Sequence, residues 1–171
     1  VDEVGVPLPA GGAGELWLRG SLVTTGYFRD PAATAAASAP GGWFRTGDVA
    51  RIDAEGYVFI LDRKKDMINR GGHKIFSAEV EQLLLGHPDI VDAAVVGVPD
   101  PLAFEAVVAY VVLRPEARMS SQSVQQLVSE GMADYAAPRF VHLVEEIPRN
   151  SIGKVDKHLL REMAAKSAAR R

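Results

Sequence analysis

Asp62-Arg-Lys-Lys-Asp-Met-Ile-Asn-Arg-Gly-Gly-His-Lys-Ile75 is where this 171-residue chain changes character. Its first five residues, Asp62–Asp66, are a charged run with no apolar side chain, the composition of a linker. Met67–Asn69 and Lys74–Phe76 then flank Gly71-Gly72, a pair that supplies backbone freedom for a tight hairpin.

Upstream of that stretch the sequence reads as strands. Residues Val1–Gly14 are a Gly- and Pro-rich loop, and Glu15–Arg19 alternates polar with apolar as a strand does. Asp30 precedes Pro31 and a run of alanines, which predicts a helix with Asp30 as N-cap and Pro31 in the first turn. Val49–Ile52 and Tyr57–Leu61 are strands around the turn Asp53-Ala-Glu-Gly56.

Downstream, Ser77 is placed to cap a helix whose stripe is Val80, Leu83 and Leu84, ended by His87-Pro88. Val91–Val98 and Glu105–Arg114 are β-rich. Ser121–Met132 has a helical stripe of Val124, Leu127, Val128 and Met132. Phe140–Val144 reads as a strand. Asp156 caps a last helix carrying Leu159, Leu160 and Met163, with a frayed tail over Ala164–Arg171. From Met67 the order is β-β-α-β-β-α-β-α. That predicts a small α+β domain with helices on a mostly antiparallel sheet, preceded by a β-rich piece.

Composition narrows the function. The chain is 47% hydrophobic and 24% charged, an ordinary globular balance. A formal net charge of −3 offers no basic footprint, so nucleic acid is not an expected partner. There is no cysteine, which excludes disulfides, thiolate catalysis and Cys-type zinc sites and agrees with a cytoplasmic location. The longest apolar run, Ala106–Leu113, is too short for a transmembrane segment. Val1 in place of Met reads as a processed or truncated start.

Three segments have residue types suited to phosphate and nucleotide chemistry. In Trp43-Phe-Arg-Thr-Gly-Asp48 a carboxylate can accept hydrogen bonds from vicinal hydroxyls, with an arginine nearby to offset phosphate charge. In Asp62–Ile75, Gly71-Gly72 lets backbone approach a ligand closely. In Pro148-Arg-Asn-Ser-Ile-Gly-Lys154, a lysine on a mobile loop can deliver a point charge to phosphate. Taken singly, each is equally well a polar turn, a hairpin or an exposed lysine. His73, His87, His142 and His158 do not fall at metal-ligand spacing, and no metal site is expected.

Together, in this order and spacing, Phe44-Arg-Thr-Gly-Asp48, Asp62-Arg-Lys-Lys-Asp-Met-Ile…Gly71-Gly72…Ile75…Glu79-Val-Glu81 and Pro148…Gly153-Lys154 resemble the last third of the acyl-adenylate-forming superfamily. That superfamily includes AMP-forming acyl- and aryl-CoA synthetases, luciferases and peptide-synthetase adenylation domains. His87-Pro-Asp-Ile-Val-Asp-Ala-Ala-Val-Val-Gly-Val-Pro-Asp100 and Tyr135-Ala-Ala-Pro138 extend the resemblance.

The resemblance implies a two-step ligase. An acid is first activated by ATP as an acyl-adenylate, and the acyl group then passes to CoA after the C-terminal domain rotates. Residues 1–62 would be the β-rich end of a large N-terminal adenylation domain, and 63–171 the mobile C-terminal domain. Asp48 would bind the ribose with Arg63 assisting. Lys65 would be the hinge, Gly71 and Gly72 would lie on the loop used for thioester formation, and Lys154 would be the adenylation lysine. Mg2+ and the phosphate loop would belong to the missing N-terminal part, so the chain alone would be inactive.

The implied partners are a carboxylic acid (fatty acid first, aryl acid second), ATP and CoA, and an acetyltransferase acting on Lys154. The alternatives are an enzyme that loads a carrier protein and a non-catalytic interaction module. The chain departs from the family at Phe104, where glycine is usual, and at Ser77, near where proline is frequent.

Overall fold

The computed structural model describes residues 1–168. The chain divides into two compact units, the first Val1–Lys65 and the second beginning at Asp66.

The first unit is a small antiparallel sheet. β1 (Ala13–Leu18) is followed by α1 (Pro31–Ala37), β2 (Ser38–Ala39), β3 (Trp43–Ile52) and β4 (Val58–Arg63). β3 is the organising strand, paired antiparallel with β1, β2 and β4. Asp30 caps α1 by accepting from the Ala33 amide at 2.8 Å, with Pro31 in the first turn, as the sequence implied. Asp53 builds the β3–β4 turn, its carboxylate accepting from the amides of Glu55 and Tyr57. Both flanking strands run longer than their apolar patterns. β4 continues through Asp62 and Arg63, residues whose charge reads as linker in sequence, because β3 offers them a pairing partner.

The second unit has the order β5 (Ile68–Arg70), β6 (His73–Ile75), α2 (Ser77–Leu85), β7 (Ile90–Asp100), β8 (Phe104–Leu113), α3 (Ser121–Gly131), β9 (Phe140–Leu143) and α4 (Lys157–Ala168). This is the expected β-β-α-β-β-α-β-α sequence. β5 with β6, β5 with β8 and β7 with β8 are antiparallel, and β9 joins β8 in parallel.

The β7–β8 hairpin is its spine. Ala93 and Val95 of β7 and Val107, Ala109 and Val111 of β8 face one way, into a core with Val80 and Leu84 of α2 and Val124 and Val128 of α3. Ala94 and Val96, with Val108 and Tyr110, face the other way, toward Leu160 and Ala164 of α4. Burial of both faces explains the unbroken apolar run Ala106–Leu113, since a strand with one wet face would alternate. At ~25 cal/mol per Å2 of apolar surface, each fully buried valine here contributes roughly 1.5–3 kcal/mol.

Three local expectations change. Ser77 is not the N-cap of α2: Phe76 holds that position, and Ser77 is fully buried with its hydroxyl engaged by the Lys157 ammonium at 2.7 Å. A tertiary partner has claimed the oxygen that a cap would have used. On α4, Leu159 and Met163 are partly exposed, and the buried stripe is Leu160 and Ala164. The tail expected to fray from Ala164 is helical through Ala168 because Ala164 packs beneath β7 and β8; residues 169–171 lie outside the described residues. No described helix is long and apolar enough to cross a membrane.

Phe104 has φ 62°, the left-handed region that a side chain with Cβ disfavours, and it is largely exposed. The loop holds it there. Asp100 accepts from the Leu102 and Ala103 amides and pairs with Arg139, while the Ala103 carbonyl accepts from Gly71 and Glu105. A glycine at this position fits the backbone without strain. Phe104→Gly should therefore raise stability by about 0.5–1 kcal/mol, after the entropy cost of glycine in the unfolded chain, read as a higher thermal midpoint.

Tyr110 is 2% exposed and donates its hydroxyl to the Leu160 carbonyl at 2.9 Å. Burial pushes its pKa above the ordinary 10.0. The unfolded chain therefore loses this proton first, and the stability linked to it is complete below pH 10 and declines as pH rises beyond. Tyr110→Phe should cost about 1 kcal/mol at neutral pH and flatten the alkaline decline of the denaturation midpoint.

Candidate functional site

Within the first unit, Asp48 and Arg63 meet. The Arg63 Nη1 lies 2.7 Å from Asp48 Oδ1, and the Asp48 side chain keeps 25% of its surface exposed. Asp48 follows Gly47, whose φ of 71° favours glycine and whose carbonyl accepts from the Lys64 amide. The Thr46 hydroxyl donates to the Leu16 carbonyl and accepts from the Asp48 amide, fixing the turn into the strand.

A register break decides which residue faces Asp48. Ala50 pairs with Ile60, but Val49 pairs with Asp62 and Asp48 with Arg63, so Leu61 is an extra residue on β4. In unbroken register Asp48 would oppose Asp62, two like charges. The bulge replaces that repulsion with an ion pair, which at this exposure is worth about 0.2–1 kcal/mol. Its main effect is orientation: one carboxylate oxygen is held by a guanidinium while the group stays open to solvent. Nearby, Lys64 pairs with Glu15 at 2.9 Å. Burial opposes ionisation of Glu15, yet Lys64 and neighbouring donors outweigh it and hold the carboxyl below its usual range.

In the second unit, Gly71 and Gly72 form the two-residue β5–β6 turn with φ of 60° and 92°. Both central residues being positive is the requirement of a type I′ hairpin, which matches strand twist. No atom lies within 4 Å of a Cβ built at either, so the backbone presents an open face. Asn69 accepts from the Gly72 amide, and Arg70 donates to the carbonyls of Tyr135 and Ala137, both at 2.9 Å. His73 stacks on Tyr135 with centroids 4.3 Å apart.

Lys154 sits at the end of a tight, hydrogen-bonded turn, where sequence reasoning expected a mobile loop. Asn150 organises it: its side chain accepts from the amides of Ile152 and Lys154, and its own amide donates to the Lys154 carbonyl. Gly153 supplies the turn with φ 79°. Arg149 reaches Asp92 on β7 at 2.6 Å and donates to the Gly153 carbonyl. Any movement of Lys154 is therefore better carried by the whole unit than by this turn. Asn150 and Arg149 were not singled out in sequence. The signal was there in Arg-Asn before a Gly three residues past the Asn, a common way to close a loop on an Asx side chain.

Lys65 is the last residue of the first unit. A cavity of about 610 Å3 also lies in the first unit, lined by residues such as Leu8, Trp17 and Trp43. Glu15 also lines it, whereas Asp48, Arg63 and Lys65 do not. Among the described residues no three His, Asp or Glu side chains group as metal ligands would.

Comparison with known proteins places the chain among relatives. Residues 79–154 match the family described as AMP-binding enzyme C-terminal domain. The chain is 44% identical over 163 residues to a long-chain-fatty-acid–CoA ligase of Thermus thermophilus, covering 94% of this chain and 30% of that protein. It is 40% identical over 168 residues to enterobactin synthase component E of Escherichia coli, covering 98% and 31%. The structure of the amide bond synthetase McbA from Marinactinospora thermotolerans is similar at TM-score 0.88 and 41% identity, over 95% of this chain and 33% of that one.

The chain belongs to the adenylate-forming superfamily, the enzymes that include the AMP-forming CoA ligases, and carries their C-terminal domain. It spans about a third of the length of the relatives it matches.

Asn150→Ala removes the acceptor for two turn amides. Hydrogen exchange at Ile152 and Lys154 should accelerate by about fivefold, equivalent to roughly 1 kcal/mol, with little change in the global unfolding midpoint.

Proposed function

We propose that this chain is the C-terminal third of an ATP-dependent acid–thiol ligase, and that Lys154 is its adenylation lysine. The observation that carries this is the turn Asn150–Lys154, which holds a lysine at a fixed place within the domain whose family match ends on that same residue.

In the first step the oxygen of an anionic carboxylate attacks the α-phosphorus of ATP and pyrophosphate leaves. Negative charge meets negative charge. A lysine ammonium placed against the transferring phosphoryl oxygens lowers that barrier and costs no reorganisation when its loop is already built. Asp48 can accept from vicinal ribose hydroxyls while Arg63 keeps its carboxylate aimed. Residues 1–62 are assigned to the end of the large adenylation domain and 63–171 to the mobile domain, with Lys65 as hinge. Gly71-Gly72 present bare backbone for the second step, in which the thiolate of CoA attacks the acyl carbonyl and AMP leaves. Mg2+ and the remaining phosphate contacts belong to the large domain, and this chain supplies no activity alone.

The acid is assigned as fatty, with aryl acids second. Asp62-Arg-Lys-Lys-Asp-Met-Ile supports that, as does similarity to a long-chain-fatty-acid–CoA ligase. Transfer to a carrier-bound thiol is the second reading, favoured by the likeness to enterobactin synthase component E. The cytoplasm suits a cysteine-free enzyme of this kind, and acetylation of Lys154 by an acetyltransferase would switch off the charge it supplies.

The test uses an enzyme in which this chain is joined to its large domain. Lys154→Ala should cut acid-dependent ATP–pyrophosphate exchange by about a hundredfold or more. Thioester formation from preformed acyl-adenylate should be largely spared. Equal loss in both half-reactions would remove Lys154 from the assigned role, and thioester found only on a carrier would replace CoA as acceptor.

A further inference from the structure

The helix that follows Lys154 is tied to the start of its own unit by charge. α4 begins at Lys157, three residues past Lys154. Lys157 Nζ reaches Glu81 at 2.9 Å and Ser77 at 2.7 Å, both on α2, and Glu81 also accepts from the Val95 amide of β7. One turn further, Arg161 Nη2 lies 2.7 Å from Asp66 Oδ1. Asp66 is the first residue of the second unit and directly follows Lys65; it is 8% exposed.

A nearly buried carboxylate at a unit boundary needs a reason. Asp66 precedes β5, so the β5 ladder does not require its side chain. Its pairing with Arg161 instead joins two points far apart in sequence: the chain leaving Lys65, and the helix rooted at the Lys154 turn. Without that bond, the two residues between Lys65 and β5 would lose their one charged tie to the unit that the structure shows, and a rotation at Lys65 could be absorbed there before it reached Lys154.

We propose that Arg161 is a positioning residue for the adenylation step: by clamping Asp66 it makes the chain after Lys65 and the base of the Lys154 turn one rigid piece, so that a turn about Lys65 sets the place of the Lys154 ammonium. This rests on the function proposed above for Lys65 and Lys154. Arg161 touches no substrate; it acts through Asp66. Lys154 placement is sensitive to such slack, because a displacement of about 1 Å at a reacting centre can cost on the order of a hundredfold in rate.

The experiment compares five single variants and one double variant of the enzyme carrying both domains. Arg161→Gln should lower kcat of acid-dependent ATP–pyrophosphate exchange by about tenfold, with KM for ATP and acid unchanged. Asp66→Asn should reproduce that loss, and the double variant should be no worse than either single one. Tyr110→Phe loosens the same helix without touching the clamp, so it should lose stability but keep kcat. Arg161→Lys retains charge and should recover part of the rate even if Arg161→Gln folds poorly.

Hydrogen exchange gives a readout independent of catalysis: amides of residues 66–69 should exchange faster in Arg161→Gln and not in Tyr110→Phe. Wild-type kcat in Arg161→Gln, or an equal kcat loss in Tyr110→Phe, would overturn the clamp. Lys154→Ala run alongside separates the two ideas. If it keeps full exchange activity, the assignment of Lys154 fails; if it loses activity while Arg161→Gln does not, only the clamp fails.

Discussion

The ladder between β7 and β8 is the interaction on which the second unit depends. Ten residue pairs from Ile90–Leu113 to Asp100–Phe104 run along it, and its side chains alternate into two separate apolar clusters. Because both faces are covered by helices, the middle of each central strand, Ala93–Val96 and Ala106–Val111, is buried on both sides, and only the strand ends reach water. Each helix then has one job: to present an apolar stripe to this sheet. α2 and α3 do so on one face with Val80, Leu84, Val124 and Val128, and α4 on the other with Leu160 and Ala164. The Asn150–Lys154 turn is an offshoot of this arrangement. Asp92, on β7, holds Arg149, and Tyr110, on β8, holds the Leu160 carbonyl of the helix that Lys154 leads into.

Charge is used sparingly against that core. Lys157 with Glu81 and Ser77, and Arg161 with Asp66, are partly buried pairs, and Glu81 also accepts from the Val95 amide. Such pairs add little net stability over apolar packing, but they specify one arrangement, since a displaced helix would leave a charge buried alone. The same economy governs the first unit. There a single extra residue on β4 decides whether Asp48 faces a carboxylate or a guanidinium. In both units a charged side chain is set on a hydrogen-bonded backbone frame.

The glycine positions divide along the same line. Gly71 and Gly72 take the positive φ that their turn demands. Phe104 takes a positive φ that its residue type resists, which explains why a glycine is the usual residue there. Sequence comparison marked Phe104 as a departure, and the structure gives the departure a physical meaning.

Resemblance to a known family marked Asp48, Gly71, Gly72 and Lys154; sequence by itself determined the order of elements from Met67 onward, the α+β class and the caps Asp30 and Asp156. These follow from local rules: periodicity, turn chemistry and capping act over a few residues and leave their mark in the order of letters. Only the tertiary structure decided the pairing of Asp48 with Arg63 through a bulge, the burial of Ser77 against Lys157, the strain at Phe104, the rigidity of the Asn150–Lys154 turn and the bond between Asp66 and Arg161. Each of these joins groups through space across a register, a helix packing or a loop closure. No spacing rule encodes such a meeting, because where a side chain ends up depends on how the whole sheet and its covering helices settle against one another.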